Sequence, residues 1–405
     1  MRLAVVSPFL DRFHGTERCI LEQIERFARD YQWRIHLYSQ SVSGVNTQPP
    51  PSPSSEDSPG TIVWHKVPKL PGPHVFNFCF WFLMNSWQRY RYRRSRETQP
   101  DLVYSPGVNC LDADVIVVHI VFHAFYRRVR PELRLKAVPL HLWPLIIHRR
   151  MYYRLLMYLE NKLYCDPAIH LIAVSSLLAS QLKQYFQRQD VVVIPNAVDS
   201  SKFTSEARQL QRSLSRRSFS YSDSDFVLLL IGNDWKTKGL PALLKAVGKL
   251  HDLPLQVLVV GADDPGLYAS LLSELKLRDT VRFERPDPDV LKFYAAADVY
   301  VAPSLEDSFN LPIIEAMSCA LPVIASVFAG ASELICDGET GYTLKDPQDD
   351  ILLAHLIRKI YANSSLRVQI GHAATDFVRA HCGWDANVAA TRQVLDQVLQ
   401  QKQKR

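Results

Sequence analysis

Residues 299–325 read VYVAPSLEDSFNLPIIEAMSCALPVIA, and the order of residue types in this stretch decides the fold. An apolar run at 299–301 leads into a polar loop, and Pro312 suits the first turn of the helix that follows. A second apolar run then begins at Pro322. A strand, a helix and another strand in this order predict parallel strands joined by a crossover helix.

The same alternation of short β-rich runs and amphipathic segments of helix length extends along the whole chain, which is typical of α/β proteins. We predict strands at 3–7, 34–39, 61–66, 102–105, 115–119, 170–174 and 191–194, and a second set at 226–231, 255–260, 281–283, 299–301 and 322–325. We predict helices at 17–30, 240–250 and 268–275.

Two segments interrupt this alternation. The Pro- and Ser-rich segment 41–60 is predicted as a surface loop, and the Ser- and Arg-rich segment 213–224 as a linker or surface turn. Because the strand pattern restarts after the second segment, the sequence predicts two Rossmann-like parallel-sheet domains. Such domains bind ligands beyond the carboxyl ends of their strands, so we expect the site in the cleft between them.

Length and composition agree with two domains. The 405 residues suit two or three domains, and 47% hydrophobic residues are enough for buried cores, which excludes wholesale disorder. The seven cysteines are scattered and never form C-x-x-C, so we expect a reducing, cytoplasmic setting rather than a disulfide framework or a zinc cluster. No run reaches the roughly 18 apolar residues of a membrane span, and the start MRLAVVSP is predicted to be a strand rather than a signal peptide.

Two carboxylates in the opening stretch are candidates for ligand contacts. Asp307 lies in the loop after a predicted strand and Glu315 lies on the next helix, so both stand near the strand end where such folds bind ligands. Taken without their context, the better interpretation is that Asp307 caps a turn and that Glu315 is a solvated helix residue.

The opening stretch resembles the E-x7-E signature, EGFGLPxxEAMACGxPVxAS, of the retaining GT-B glycosyltransferases of glycosyltransferase family four. The resemblance implies that Glu315 holds the ribose of a donor nucleotide and that Asp307, which replaces the first glutamate, faces the donor sugar. Neighbouring Glu306 is the alternative sugar contact, because aspartate is one methylene shorter than glutamate. The backbone amides at the helix start are implied as donors to the diphosphate, namely those of Phe309, Asn310 and Leu311.

A second stretch, 229–246, reads LLIGNDWKTKGLPALLKA and predicts a strand, a tight turn with two lysines, and a helix. Positioned cations suit a diphosphate leaving group, because its developing charge must be neutralised where no metal does so. The stretch resembles the family's phosphate motif G-[RS]-x-x-x-[KR]-K-G, with Gly232 and Lys238 at its glycine and lysine. Asn233 replaces the frequent arginine, so Lys236 is the candidate for the second charge. Without the resemblance, both lysines would be ordinary surface residues.

Weaker resemblances occur in the order that the family predicts. The segment 12–18, RFHGTER, is similar to the G-G-x-E loop with Gly15 as the aligned glycine. Only one of the two glycines is kept, and a plain helix N-terminus is as good an interpretation. Segments 172–176, 194–203 and 328–342 are similar to further family motifs, and Trp384 stands where the last helices return to the first domain. We therefore predict an acceptor domain at 1–205 together with 384–405, and a donor domain at 206–383.

Histidines are candidates for contacts to the sugar or the acceptor. His119 and His123 follow the predicted strand 115–119, close to where the family commonly has a histidine that bonds the donor hexose. We favour His119, with His123 as the alternative. A histidine after a strand is otherwise more often a structural group.

Positive charge is concentrated in the first domain. Residues 61–160 hold fifteen Lys and Arg against six Asp and Glu, although the whole chain carries only +6. An aromatic run followed by arginines, through 76–96 and 127–154, suits docking on an anionic membrane surface, and a packed helix with a solvated basic face is the equal alternative. No nucleic-acid-reading motif accompanies the arginines, so no nucleic-acid partner is expected.

Other enzyme classes lack their motifs. The sequence has no dinucleotide, P-loop, zincin or hydrolase-elbow pattern, and its DAD triplet at 112–114 precedes a strand, which disfavours a metal-dependent GT-A enzyme. The resemblance implies a metal-independent, retaining hexosyltransferase without a bound cofactor. Its donor would be UDP- or GDP-hexose, and its acceptor a glycan, a glycolipid or a lipid-linked saccharide. A nucleotide-sugar epimerase or hydrolase and a non-catalytic nucleotide-sugar-binding protein are the alternatives.

Overall fold

The computed structural model describes residues 1–12, 14–50, 58–92, 99–135 and 139–404. The chain divides into an N-terminal unit, Met1–Ile194 with Val388–Arg405, and a C-terminal unit, Pro195–Asn387. The sequence predicts boundaries at 205/206 and 383/384 instead. Residues 195–204 belong to the C-terminal unit because the Val198 amide donates to the Cys382 carbonyl at 3.0 Å and the Asn387 side chain donates to the Pro195 carbonyl at 2.7 Å.

The N-terminal unit is built on parallel strands. In chain order its strands are β1 (Arg2–Val6), β2 (Phe9–Leu10), β3 (Arg34–Ser39), β4 (Ser41–Val42), β5 (Ile62–Lys66), β6 (Leu102–Pro106), β7 (Val115–Val118), β8 (His170–Ala173) and β9 (Val192–Val193). Its main sheet has the order β5-β3-β1-β6-β7-β8-β9, and β2 pairs with β4. The predicted loop 41–60 therefore begins with a strand, and residues 51–57 of it lie outside the described residues.

Helices α1 (Gly15–Tyr31), α2 (His74–Tyr92), α3 (Phe122–Val129), α4 (Trp143–Tyr164) and α5 (Ser176–Phe186) connect these strands. The predicted amphipathic helix at 17–30 is confirmed as α1, which buries Ile20, Ile24 and Phe27 on one face. In the part of the chain that the structure describes, none of the helices has the length and apolarity that crossing a membrane requires.

The C-terminal unit repeats the architecture. Its strands are β10 (Phe226–Ile231), β11 (Leu255–Val260), β12 (Val281–Glu284), β13 (Val299–Ala302), β14 (Val323–Ser326) and β15 (Tyr342–Leu344), in the order β12-β11-β10-β13-β14-β15. Its helices are α6 (Ser205–Ser218), α7 (Leu240–Val247), α8 (Ala269–Glu274), α9 (Leu291–Ala296), α10 (Leu311–Ser318), α11 (Asp350–Ala362) and α12 (Ser364–His381). The last helix, α13 (Trp384–Gln403), starts in this unit and continues in the N-terminal unit from Val388.

Strand order fixes where ligands can bind in the C-terminal unit. The order reverses between β10 and β13, which lie side by side in the sheet with Leu228 opposite Val299. Loops at such a reversal diverge to opposite faces of the sheet and leave a crevice at the carboxyl ends. The β10–α7 and β13–α10 loops both start at this point, and they contain the two stretches on which the predicted site depends. We call residues 232–239 and 303–311 the switch edge.

The prediction of a linker or surface turn at 213–224 is wrong for residues 213–218, because these residues form the end of helix α6. Arg208, Arg212 and Arg216 recur every four residues and so share one face of this helix. They donate to main-chain carbonyls at the end of α9, and Arg212 also pairs with Asp298 at 2.6 Å. These contacts bind α6 firmly to the C-terminal unit.

Candidate functional site at the switch edge

Two glycines bring the loops of the switch edge together. Gly232 has φ +145°, and a Cβ there would lie 2.7 Å from Cε of Lys238, so the lysine side chain passes directly over this residue. Gly239 has φ +83°, and its Cβ would lie 1.9 Å from the carbonyl oxygen of Pro303. The contact at Gly239 leaves no room for a Cβ, and the positive φ at both positions favours glycine. The loops are also bonded, since the Leu305 amide donates to the Thr237 carbonyl at 2.8 Å.

The loop after β13 is fixed from its other side by the segment after β14. The Asp307 amide donates to the Phe328 carbonyl at 2.9 Å, and the Gly330 amide donates to the Asp307 carbonyl at 2.9 Å. The Ala331 amide donates to the Phe309 carbonyl at 2.6 Å. The segment 328–342, a weaker sequence match, therefore holds the backbone of the loop that carries Asp307.

Lys238 and Asp307, which the sequence places 69 residues apart, form an ion pair between Nζ and Oδ2. The other carboxylate oxygen of Asp307 accepts the Phe309 amide at 3.3 Å. The structure thus brings together the predicted phosphate lysine, the predicted sugar carboxylate and one of the predicted diphosphate amides. Lys236 is exposed on the same edge, and Glu306 is half-buried.

The start of α10 has an unusual residue at its N-cap. Asn310 adopts the left-handed conformation with φ 68°, and its Oδ1 accepts the Tyr300 hydroxyl at 3.0 Å. The family signature has glycine at this position, and asparagine is the residue that best tolerates the same backbone conformation. The departure from the signature therefore preserves the loop geometry, with Leu311 as the first residue of the helix.

Glu315 lies on α10 with only 3% of its surface exposed. Its Oε2 accepts the hydroxyl of Tyr294 at 2.6 Å, and burial together with this negative charge raises the pKa of Tyr294 well above its usual value. Arg208 in turn donates to the Tyr294 carbonyl at 3.3 Å. Sequence reasoning missed Tyr294 and the α6 arginines, although the four-residue spacing of the arginines indicates a helix face.

In the N-terminal unit, Gly15 is the first residue of α1, and His119 directly follows β7. The Nε2 atom of His119 is buried without a hydrogen-bond partner among the described residues. Burial lowers the pKa of His119 to about 4, so its imidazole is neutral near pH 7. A neutral imidazole can donate a hydrogen bond to a hydroxyl group or accept one from it.

His123 is engaged within the unit. Its Nδ1 lies 2.7 Å from Oε2 of buried Glu160, whose carboxylate also accepts the amides of Phe122 and His123 at the start of α3. Its Nε2 lies 3.4 Å from the Asn161 side chain. Glu160 therefore caps α3, and both ring nitrogens of His123 have partners within the unit.

The predicted basic surface is divided between two faces of α2. Arg89, one of the arginines in the predicted run 76–96, is 1% exposed and donates a hydrogen bond to Asp112 at 2.5 Å, so it does not contribute to a basic surface as predicted. Phe76, Leu83, Trp87 and Tyr90 are exposed on another face, which we call the aromatic face. Arg91 lies over the Trp87 ring at 4.9 Å from its centroid. Arg93, Arg94 and Arg96, which complete the predicted run, lie outside the described residues.

Comparison with known proteins extends this local evidence to the whole chain. One family model, Glycosyltransferase Family 4, matches residues 13–202, and a second, Glycosyl transferases group 1, matches residues 211–377. Together with the two parallel-sheet units, these matches place the chain in a glycosyltransferase family of the GT-B fold class. The chain belongs to glycosyltransferase family four, as the E-x7-E resemblance predicts.

Individual relatives agree with the family. A D-inositol 3-phosphate glycosyltransferase of Arthrobacter sp. (strain FB24) is 31% identical over 237 residues, which are 56% of this chain and 55% of that protein. The chain thus matches about half the length of such curated relatives.

Solved structures share the fold over nearly the full chain. WaaG, a glycosyltransferase involved in lipopolysaccharide biosynthesis, gives a TM-score of 0.75 at 19% identity and covers 96% of this chain and 98% of its own. Anabaena Alr3699/HepE, solved in complex with UDP and glucose, gives 0.68 at 17% identity and covers 98% of this chain and 100% of its own. The predicted GT-B fold class is confirmed.

Proposed function

We propose that this glycosyltransferase transfers a hexose from a nucleoside diphosphate sugar to an acceptor hydroxyl, without a metal ion and with retention of configuration. The observation that carries the proposal is the meeting of Lys238, Asp307 and the Phe309 amide where β10 and β13 end. A cation and helix-start amides stabilise a departing diphosphate, and a carboxylate accepts sugar hydroxyls.

Each residue of the switch edge has a proposed role. Lys238, assisted by Lys236, neutralises the charge that develops on the diphosphate as the bond from the anomeric carbon to the phosphate oxygen breaks. The amides of Asn310 and Leu311 at the start of α10 add donors to the same group. Glu315 holds the ribose hydroxyls, and Asp307 or Glu306 holds the hydroxyls of the sugar.

The second half of the reaction forms the bond from the anomeric carbon to the acceptor oxygen. In the retaining reaction that we propose, the departing phosphate oxygen takes the proton of the acceptor hydroxyl, so no enzyme nucleophile is required. His119, neutral at physiological pH, is proposed to hydrogen-bond the sugar or the acceptor rather than to transfer a proton. Gly15 is proposed to let the backbone at the start of α1 approach the donor.

One solved structure of the same fold supports the choice of donor. The HepE structure holds UDP and glucose. By analogy we propose UDP-hexose as the first donor to test and GDP-hexose as the second. A glycan, a glycolipid or a lipid-linked saccharide is the proposed acceptor.

We propose a cytoplasmic setting and an acceptor held at a membrane, and the aromatic face supports the second of these. Phe76 and Leu83 are each 68% exposed, and Arg91, Arg149 and Arg154 are exposed on α2 and α4. Apolar rings with arginines suit the interface of an anionic bilayer, where each basic side chain adds about 1 kcal/mol. We therefore propose peripheral binding to anionic membranes. Equal sedimentation with neutral and anionic vesicles, or none with either, would contradict it.

The central test compares matched lysines. We expect Lys238→Ala to lower kcat with UDP- or GDP-hexose by about 10²–10³, the usual effect of removing one group that stabilises a leaving anion. Lys245→Ala removes an exposed lysine of the adjacent helix α7 and should leave turnover within twofold. Full activity of both Lys238→Ala and Glu315→Ala would overturn the assignment.

Other outcomes would indicate a different function. Release of free or isomerised sugar without an acceptor would indicate a hydrolase or an epimerase. Donor binding without turnover would indicate a binding protein.

A further inference from the structure

We propose that Asp307 competes with the donor diphosphate for Lys238 and the Phe309 amide, and thereby makes the site prefer a nucleoside diphosphate that carries a sugar over the free nucleoside diphosphate. The inference rests on the proposed function and deepens it. In this inference, the carboxylate of Asp307 allows the site to distinguish the donor substrate from the free nucleoside diphosphate product.

The first step is the set of contacts that the carboxylate makes. One oxygen of Asp307 pairs with Lys238 Nζ and the other accepts the Phe309 amide at 3.3 Å. These donors are the same cation and one of the amides that would bind phosphate oxygens. The side chains of Lys238 and Asp307 are only 21% and 12% exposed, so water screens this pair less than a surface pair.

The second step is that the backbone that carries Asp307 is fixed beside Lys238. Hydrogen bonds to Phe328 and Gly330 fix the backbone of Asp307 on both sides, and the side chain of Lys238 lies against the surface of Gly232. A diphosphate that takes Lys238 would therefore leave the carboxylate of Asp307 close to its own negative charge.

The third step is the balance of charge. A half-buried carboxylate beside a phosphate, without a donor of its own, is unfavourable by like-charge repulsion and lost hydrogen bonding. The hydroxyls of a donor sugar would supply hydrogen bonds to Asp307 and offset this cost. A free nucleoside diphosphate has no such hydroxyls at that position. After transfer, Asp307 would regain Lys238 and favour release of the diphosphate.

The experiment measures Kd by calorimetry for UDP, GDP and their hexose conjugates, and compares Asp307→Asn with the natural chain. We expect the affinity for the free diphosphate to rise about tenfold, the scale of one half-buried charge contact, while the affinity for the sugar conjugate falls. Asp307→Glu, which keeps the charge, should retain the preference for the sugar conjugate. Glu274→Gln removes an exposed carboxylate of α8, away from the switch edge, and should change neither affinity.

The outcomes separate this inference from the proposed function. Failure of the natural chain to bind any of these nucleotides would overturn both. Binding by the natural chain with an unchanged ratio in Asp307→Asn, or with both affinities weakened equally, would overturn only the competition. The same shift in Glu306→Gln alone would assign the competition to the other carboxylate and reject Asp307. If thermal unfolding shows that Asp307→Asn does not fold, Asp307→Ser provides the uncharged variant for the same comparison.

Discussion

Charged side chains are arranged differently at the switch edge of the C-terminal unit and on the α2 surface of the N-terminal unit. At the switch edge, Lys238 pairs with Asp307, and Asp263 accepts the amides of Asp234 and Trp235. On α2, Arg89 is buried against Asp112, while Arg91 lies over an exposed ring. Strand order thus gathers distant charges at one edge, whereas a charge count along a helix does not reveal which face each residue occupies.

The largest effect should come from tightening the contact between the loops of the switch edge. Gly239→Ala would place a Cβ against a backbone carbonyl at a left-handed position, and we expect a loss of about 3 kcal/mol or more in the free energy of unfolding. Gly107→Ala is the matched control, because Gly107 has φ +87° but no atom within 4 Å of the new Cβ. We expect that variant to lose about 1 kcal/mol. Equal losses in urea unfolding would show that the contact is not tight.

The two faces of α2 can be separated by a pair of arginine substitutions. Arg89→Ala leaves Asp112 and the Asn85 side chain without their buried partner, and we expect it to destabilise the protein by about 3 kcal/mol. Arg91→Ala should cost less than about 0.5 kcal/mol, since its side chain is exposed. Binding to anionic vesicles should show the opposite order, since it should weaken more in Arg91→Ala than in Arg89→Ala. Comparable unfolding midpoints for the two variants would contradict the division into faces.

A smaller effect should follow from removing one hydroxyl beside Glu315. Tyr294→Phe deletes a hydrogen bond to a buried carboxylate, so we expect about 2 kcal/mol of lost stability and a higher KM for the donor nucleotide. Tyr158→Phe, at a 62% exposed tyrosine of α4, serves as the control and should change neither quantity. An unchanged KM in a destabilised Tyr294→Phe would restrict Tyr294 to a structural role.

The last effect concerns the pH dependence of stability in the N-terminal unit. Burial lowers the pKa of His119 to about 4, and burial with the neighbouring His36 lowers that of His65 to about 3. Both histidines are neutral in the folded protein and have a pKa near 6.5 in the unfolded chain. Their contribution to the free energy of unfolding is therefore complete above pH 6.5, and it is lost as the pH falls towards their pKa values in the folded protein. For each of the two histidines, the free energy of unfolding falls by up to about 1.4 kcal/mol for each pH unit below 6.5. His119→Asn should reduce this slope between pH 6 and 4.5, as urea unfolding would measure.

Much of the fold could be predicted because parallel strands are nearly continuous apolar runs. Strands such as β3 and β10 were predicted to the residue, since their boundaries coincide with changes in hydrophobicity. Helix α6 was not, because Ser and Arg between 213 and 218 resemble a linker until the carbonyls that they bind are known.

The site was predictable in its residues but not in its contacts. Resemblance selected Lys238, Asp307 and Glu315, and strand order explains why the first two lie near each other. The ion pair between Lys238 and Asp307 depends on how two loops pack over Gly232 and Gly239, and a sequence pattern carries no such distance. Tyr294 reaches Glu315 from a different helix, which no spacing along the chain indicates.

The arginine face of α6 has a consequence for evolutionary change. Arg208, Arg212 and Arg216 bind the carbonyl oxygens of residues 294–297, and every amino acid supplies the same oxygen. Side chains at 295–297 can therefore drift among relatives without loosening the attachment of α6, provided that they fit the core. Substitution of an arginine has no such latitude, because one change removes several bonds at once. We expect the two helices to be constrained for different reasons, the arginines of α6 by the hydrogen bonds that they donate and the residues of α9 by the buried space around them.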